Sequence, residues 1–272
     1  MGFRLTSVLF LSLLCAFCAA DRVLAQEGDN IASIGSPTGG PYLARPFNLS
    51  QGRLRIDLAP PDYGYMDHGD LNNGRGLRVL VPEHGDAFVG LGVGAGYGVN
   101  DNVEAGGLIF PFVIAPDFDF GDMELYCRYA FVQSRTRLGV QTVIRIPTAS
   151  DFALSVGFPA QFLLGDSTRI DTGAELELIF EDDARVNLDI PLAVNVDIGG
   201  SAFLGARTGL YVYDLDELAI NLGVQGGGSV DPMVDLTASL NFPRFLWTGP
   251  GDAFNVDIVE IVAGATIFLD VQ

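Results

Sequence analysis

From Gln51 to the carboxyl terminus the chain repeats one pattern: a long segment with every second residue apolar, then a short polar turn. Met123, Leu125, Cys127, Tyr129 and Phe131 alternate with Asp122, Glu124, Tyr126 and Arg128. Leu138, Val140, Thr142, Ile144 and Ile146 alternate with Arg137, Gly139, Gln141, Val143 and Arg145, and the same holds over 152–162, 174–180, 186–194, 218–224 and 234–240. Successive strand side chains point to opposite faces, so a period of two builds a sheet with one apolar and one polar side. No segment shows a helical period. The segments approach or exceed the roughly 9–11 residues of a tilted membrane-crossing strand. Their apolar rows are too many for one sandwich core, although a secreted sandwich or soluble barrel would also alternate.

The pattern predicts an all-β fold, an antiparallel up-and-down transmembrane β-barrel of about twelve strands, with roughly ten to fourteen allowed. The strands fall near 51–59, 87–99, 102–115, 121–132, 135–147, 152–164, 169–180, 183–196, 200–213, 217–228, 233–246 and 254–270. An even count leaves both ends in one compartment. Asn100-Asp101, Gln133-Ser134, Gly165-Asp166-Ser167, Ile198-Gly199 and Val230-Asp231-Pro232 are then periplasmic turns. The longest connection, 60–86, falls outside, with a possible short strand at 76–82. Segment 102–115 has no clean polar face, so its register is weakly specified.

The amino terminus reads as an export signal over 1–25. Arg4 is followed by an apolar run from Val8 to Ala20, too short to span a membrane. Val23-Leu24-Ala25 places cleavage before Gln26; Cys18-Ala19-Ala20, with cleavage before Asp21, is the alternative. A lipoprotein signal at Cys15 or Cys18 would need a small preceding residue, and Leu14 and Phe17 stand there instead. Residues 26–50, rich in Gly, Pro, Ser and Asn, read as a flexible periplasmic lead-in to a barrel over 51–272. After cleavage Cys127 is the only cysteine, so no intramolecular disulfide holds the exported protein. The formal charge of −19, with every basic residue an arginine, argues against nucleic acid and against an anionic bilayer surface. Mean hydropathy is positive, yet after the signal no apolar run reaches the length of a membrane helix.

Tyr97-Gly98-Val99-Asn100-Asp101-Asn102-Val103-Glu104 resembles a hairpin of many Gram-negative outer-membrane proteins. Phe120-Gly121-Asp122-Met123-Glu124-Leu125, then Arg128-Tyr129, then Ile146-Pro147-Thr148, resemble the outer-membrane transport proteins of the phenol meta-pathway type. The likeness covers roughly 88–150 and its motifs are architectural. Ala149 stands where that group usually has Gly, and the chain ends in Gln272 rather than an aromatic residue, Phe268 being the nearest. The resemblance implies an outer-membrane barrel and a passive channel, without catalytic residues.

Enzymatic chemistry has little to stand on. His68 and His84 both fall in 60–86, and neither His84-Gly85-Asp86 nor Ser150 carries a nucleophile motif for an outer-membrane lipid enzyme. Asp117-Phe118-Asp119, Glu181-Asp182-Asp183 and Asp214-Leu215-Asp216-Glu217 lack a calcium-loop spacing and read as solvated loops. No metal or cofactor is implied. Gly90, Gly92, Gly94, Gly96 and Gly98 form a stripe on one face of one strand. Inward glycines leave lumen space or let something pack close; a stripe beside the permeation path is the functional alternative. Arg53, Arg55, Arg128, Arg137, Arg145, Asp171, Glu175, Glu177, Arg185 and Asp189 fall on the polar rows. Such charges make either a paired plug or opposed walls carrying a transverse field. The sequence thus points to a barrel surrounded by outer-membrane lipid, a passive pore for small polar or amphipathic solutes. A closed structural or interaction barrel with a salt-bridged lumen is the alternative.

Overall fold

The computed structural model describes residues 43, 45, 47–58, 77–81, 88–115, 117–148, 151–180, 184–199, 201–249, 254, 256 and 258–271. The export signal, most of the 26–50 lead-in, His68, His84, Ser150 and the 181–183 acidic run lie outside them. Among the described residues sixteen strand segments form one sheet. They are β1 (Arg53–Leu58), β2 (Leu77–Val81), β3 (Phe88–Gly98), β4 (Val103–Ala115), β5 (Asp119–Phe120), β6 (Met123–Gln133), β7 (Thr136–Ile146) and β8 (Phe152–Gly157). β9 (Ala160–Leu164), β10 (Thr168–Thr172), β11 (Glu175–Phe180), β12 (Arg185–Gly199), β13 (Ala202–Tyr213), β14 (Glu217–Asp231), β15 (Val234–Trp247) and β16 (Val259–Asp270) follow.

The sheet closes because β1 pairs antiparallel with β16, from Arg53↔Asp270 to Leu58↔Ala265. Several segments lie end to end in one stave. β1 and β2 both run between β16 and β3. β5 and β6 both pair with β4, β8 and β9 with β7, and β10 and β11 with β12. The result is a closed antiparallel barrel of twelve staves, the number read from the alternation. The short strand expected at 76–82 is β2, the second half of the first stave.

The breaks have local causes. Pro159 has no N–H to donate to the ladder, and the stave breaks there between β8 and β9. The neighbouring stave breaks at Gly173-Ala174, where one rung survives: Phe158 N donates to Ala174 O at 2.8 Å. In β4 the register against β3 steps from Val93↔Phe110 to Gly94↔Leu108, leaving Ile109 as the extra residue of a bulge. That one residue inverts the parity, so Glu104 and Pro111, of opposite sequence parity, are both fully buried. It also explains why 102–115 shows no single polar face.

Gly121-Asp122 and Pro147-Thr148, which carry the family resemblance, are two halves of one clasp. Thr148 N donates to Asp122 Oδ1 at 2.7 Å, and the Thr148 hydroxyl donates to Gly121 O. The clasp sits beyond the last β6–β7 pair, Met123↔Ile146, where no turn joins the two strands.

Face assignment follows the alternation. Leu125 and Phe131 are about half exposed while Arg128, between them, is 3% exposed. Leu176, Ile190, Leu192, Val194, Leu204, Leu222, Val224, Leu236 and Ile261 continue the exposed apolar belt around the barrel. A belt of this extent is the surface of a lipid-solvated protein.

Candidate functional site: the barrel lumen

One transverse row shows how the interior is built. Arg55 on β1 pairs in register with Gly96 on β3, Gly96 with Gly106 on β4, and Gly106 with Tyr126 on β6. The two glycines leave a gap in the row, and Tyr126 lies in it. A Cβ on Gly96 or Gly106 would stand 2.6 or 2.7 Å from the Tyr126 hydroxyl oxygen. Tyr126 thereby reaches across two strands, where Arg55 Nη2 donates to its hydroxyl oxygen at 2.9 Å. The same hydroxyl donates to Glu104 Oε1 at 2.6 Å, and Arg55 Nη1 lies 3.1 Å from that carboxylate. Arg55 Nε donates to Asp57 Oδ2 at 2.8 Å, and the Thr266 hydroxyl donates to Asp57 Oδ1 at 3.0 Å. The glycine stripe therefore makes room for a close-packed polar network. Gly90, Gly92, Gly94, Gly96 and Gly98 are all buried and alternate with less buried neighbours.

A second element packs on that stripe. Leu43, Arg45, Phe47, Asn48 and Leu49 are all buried, so the end of the stretch expected to be a flexible lead-in lies against the inner wall. A Cβ on Gly98 would stand 2.1 Å from Ser50 O, and one on Gly139 would stand 2.8 Å from the Phe47 ring. Leu49 N donates to Glu104 Oε2 at 2.8 Å, and Asn48 Nδ2 to Asn102 O at 2.6 Å. Arg128 Nη1 donates to Phe47 O at 3.0 Å, and its guanidinium lies over the Phe47 ring. Arg137 Nη1 donates to Arg45 O at 2.6 Å, while the Arg45 side chain binds Asp235 and the carbonyl of Pro232. Arg137 is on β7 and Asp235 on β15, which are six staves apart in a ring of twelve. The 43–50 segment thus crosses the barrel near the 230–232 turn, at the end where β1 begins and β16 finishes. Its apolar residues alternate (Leu43, Phe47, Leu49), but the run is too short to read as a strand.

Farther from that end, Arg145 Nη2 donates to Glu177 Oε1, and Arg145 Nε lies 3.9 Å from Glu124. Arg169 pairs with Asp171 two residues along the same strand, as Arg55 does with Asp57. Arg53 Nε donates to Asp270 at 2.7 Å. Glu175 and Asp189 are buried on the same polar face, in register with one another. Arg185 lies at the exposed start of β12. Among the described residues these ion pairs are local, so this part of the interior holds compensated charges rather than two walls of opposite sign. Asp57, Glu104, Glu124, Asp171 and Glu177 each lie within 4.0 Å of an arginine, the compensation that low-dielectric surroundings require.

The wall from β12 to β15 differs in kind. Asn195, Asn221 and Asn241 face inward, each in register with a glycine on the adjacent strand: Gly205, Gly209 and Gly223. The amides lie flat over those glycines, with Asn195 Oδ1 and Asn241 Oδ1 where a Cβ would otherwise sit. At the far end of β13 and β15 is a group not singled out from the sequence: Tyr211, Tyr213, Arg244 and Trp247. Alternation could not find it, because β15 loses its period at Pro243.

No protein-family model matches the chain, and no curated protein matches it. Solved structures do. The NanC porin aligns at a TM-score of 0.53 with 8% identity, over 79% of this chain and 98% of its own. The COG4313 outer membrane channel from Pseudomonas putida F1 aligns at 0.54 with 11% identity, over 89% of this chain and all of its own (100%). The likeness is one of fold: the chain, like them, is a closed β-barrel.

Proposed function

We propose that this barrel is a passive channel for small polar or amphipathic solutes, doing transport rather than catalysis. The observation that carries the reading is the contrast between the two faces of one sheet. Outside is an apolar belt; inside, compensated charges line one part of the wall and flat amides the other. A solute that loses water in such a lumen meets donors and acceptors along its whole path. The aligned NanC and Pseudomonas barrels bear the names of a porin and a channel, which supports the same reading.

The 43–50 segment favours a second reading, because a link tied to opposite staves is also what a closed, salt-bridged barrel would have. Planar-bilayer conductance of the refolded chain, with and without residues 26–49, separates the two. Conductance from the intact chain supports an open channel, and conductance only after deletion supports a channel narrowed by its own segment. Silence from both would sink the channel reading and leave a structural barrel.

A further inference from the structure

Trp247, Arg244, Tyr213 and Tyr211 form one stack at the end of the lumen opposite the 230–232 turn. Tyr211 lies on the inward row of β13, in register with Ala219, and is 6% exposed. Trp247 pairs with the same Ala219 from the other side, and Ala219 is itself buried. A small inward residue thus separates two large ones, and the aromatic rings fold over it. Tyr211 and Tyr213 have ring centroids 4.1 Å apart, and Tyr213 meets Trp247 edge-on at 5.3 Å. Membrane barrels commonly carry aromatic girdles, but those face lipid at the interfaces. This group faces the lumen.

Arg244 completes the stack. Its Cζ lies 4.5 Å from the Trp247 ring centroid and 5.6 Å from that of Tyr213. The register explains how it gets there: between Ile220↔Leu246 and Leu222↔Phe242 the residues Pro243, Arg244 and Phe245 oppose Asn221 alone. The bulge turns the guanidinium onto the rings. Arg45, Arg53, Arg55, Arg128, Arg137, Arg145 and Arg169 each meet a carboxylate, an amide oxygen or a backbone carbonyl. Arg244 makes no hydrogen bond or ion pair with another described residue. Stacking holds a guanidinium plane in place while leaving its N–H edge to bind a planar anion at two points.

We infer that Tyr211, Tyr213, Arg244 and Trp247 form a binding subsite at this mouth of the barrel for small carboxylates that carry a six-membered ring with an apolar face. The carboxylate takes the Arg244 edge and the ring lies along the aromatic faces. Two chemical sources share these features, an aromatic acid and a sugar acid. The subsite's role in uptake rests on the channel reading; binding itself does not.

Trp247 is the only tryptophan of the chain, so its fluorescence reports this site alone. The full chain, refolded in a non-ionic detergent, is titrated with benzoate and with glucuronate, and with benzyl alcohol as an uncharged ring. The expected result is a saturable change with at least one carboxylate, absent with benzyl alcohol. In Arg244→Gln, binding of that carboxylate should weaken by about tenfold or more, the scale of a lost charge-assisted pair. A response to benzoate alone identifies the aromatic source and one to glucuronate alone the sugar acid. The inference is overturned by no saturable response to either acid, by an equal response to benzyl alcohol, or by unweakened binding in Arg244→Gln. The alcohol comparison leaves the protein unaltered and decides the matter even if the variant does not refold. Because fluorescence does not depend on conduction, failure here is distinct from failure of the channel reading.

Discussion

Arg45 and Asp235 form a two-point ion pair, Nε to Oδ2 at 3.1 Å and Nη2 to Oδ1 at 2.8 Å, across 190 residues of sequence. Both side chains are buried, and stripping one partner from a buried pair costs about 3–5 kcal/mol. Arg45→Ala should therefore free the 43–50 segment from β15. Single-channel conductance should rise several-fold while heat-modifiable gel mobility stays that of a folded barrel. Equal conductance in variant and parent would show that the segment does not restrict the path.

Gly98 is the closest approach between that segment and the wall. A methyl group there would collide with Ser50 O, and neither backbone can yield without disturbing its own pairing. Overpacking of this kind costs about 1–3 kcal/mol. Gly98→Ala should lower the urea midpoint of unfolding, and the loss should shrink in an Arg45→Ala background, where the segment is already loosened. Independent, additive effects would mean that the two contacts do not hold one element.

Cys127 shares its parity with Leu125 and Phe131, both about half exposed on the apolar belt. A thiol against lipid is poorly hydrated and out of reach of a charged reagent. A charged, water-soluble maleimide should label the folded protein slowly and the denatured protein fast. Rapid labelling of the folded barrel would reverse the face assignment for β6.

Arg137 and Arg145 supply positive charge to the interior, the second beside Glu124 and Glu177. Replacing both with Ala removes two cations and leaves the carboxylates, so selectivity should move toward cations. Reversal potentials in a salt gradient read this directly. A barrel that folds and conducts with unchanged selectivity would place both arginines off the permeation path.

The stave count, and which charges and glycines share one row, were legible because each depends only on a period of two. The partners of those charges were not. Arg45 meets Asp235 through closure of the ring, and Tyr126 reaches Arg55 only because Gly96 and Gly106 fall in register between them. Register between distant strands leaves no trace in either strand's own pattern. The 43–50 segment escaped for another reason: its composition is that of a loop, and its burial comes from cavities made by Gly98 and Gly139 elsewhere. Ile109 and Pro243 mark where alternation itself fails: the one extra residue at Ile109 shifts the inward set beyond it, whereas the bulge at Pro243 turns Arg244 inward and leaves Trp247 on the parity of Asn241.

The amides laid flat over Gly205, Gly209 and Gly223 have a mechanical consequence. Solvated side chains change rotamer on picosecond-to-nanosecond time scales, and each swing alters the cross-section that a passing ion meets. Asn195, Asn221 and Asn241 are pressed against backbone and have little room to swing. On this side the width of the bore is set by the sheet itself, which moves only as a whole. Friction against such a wall is steady, and the open-channel current beside it should carry little noise.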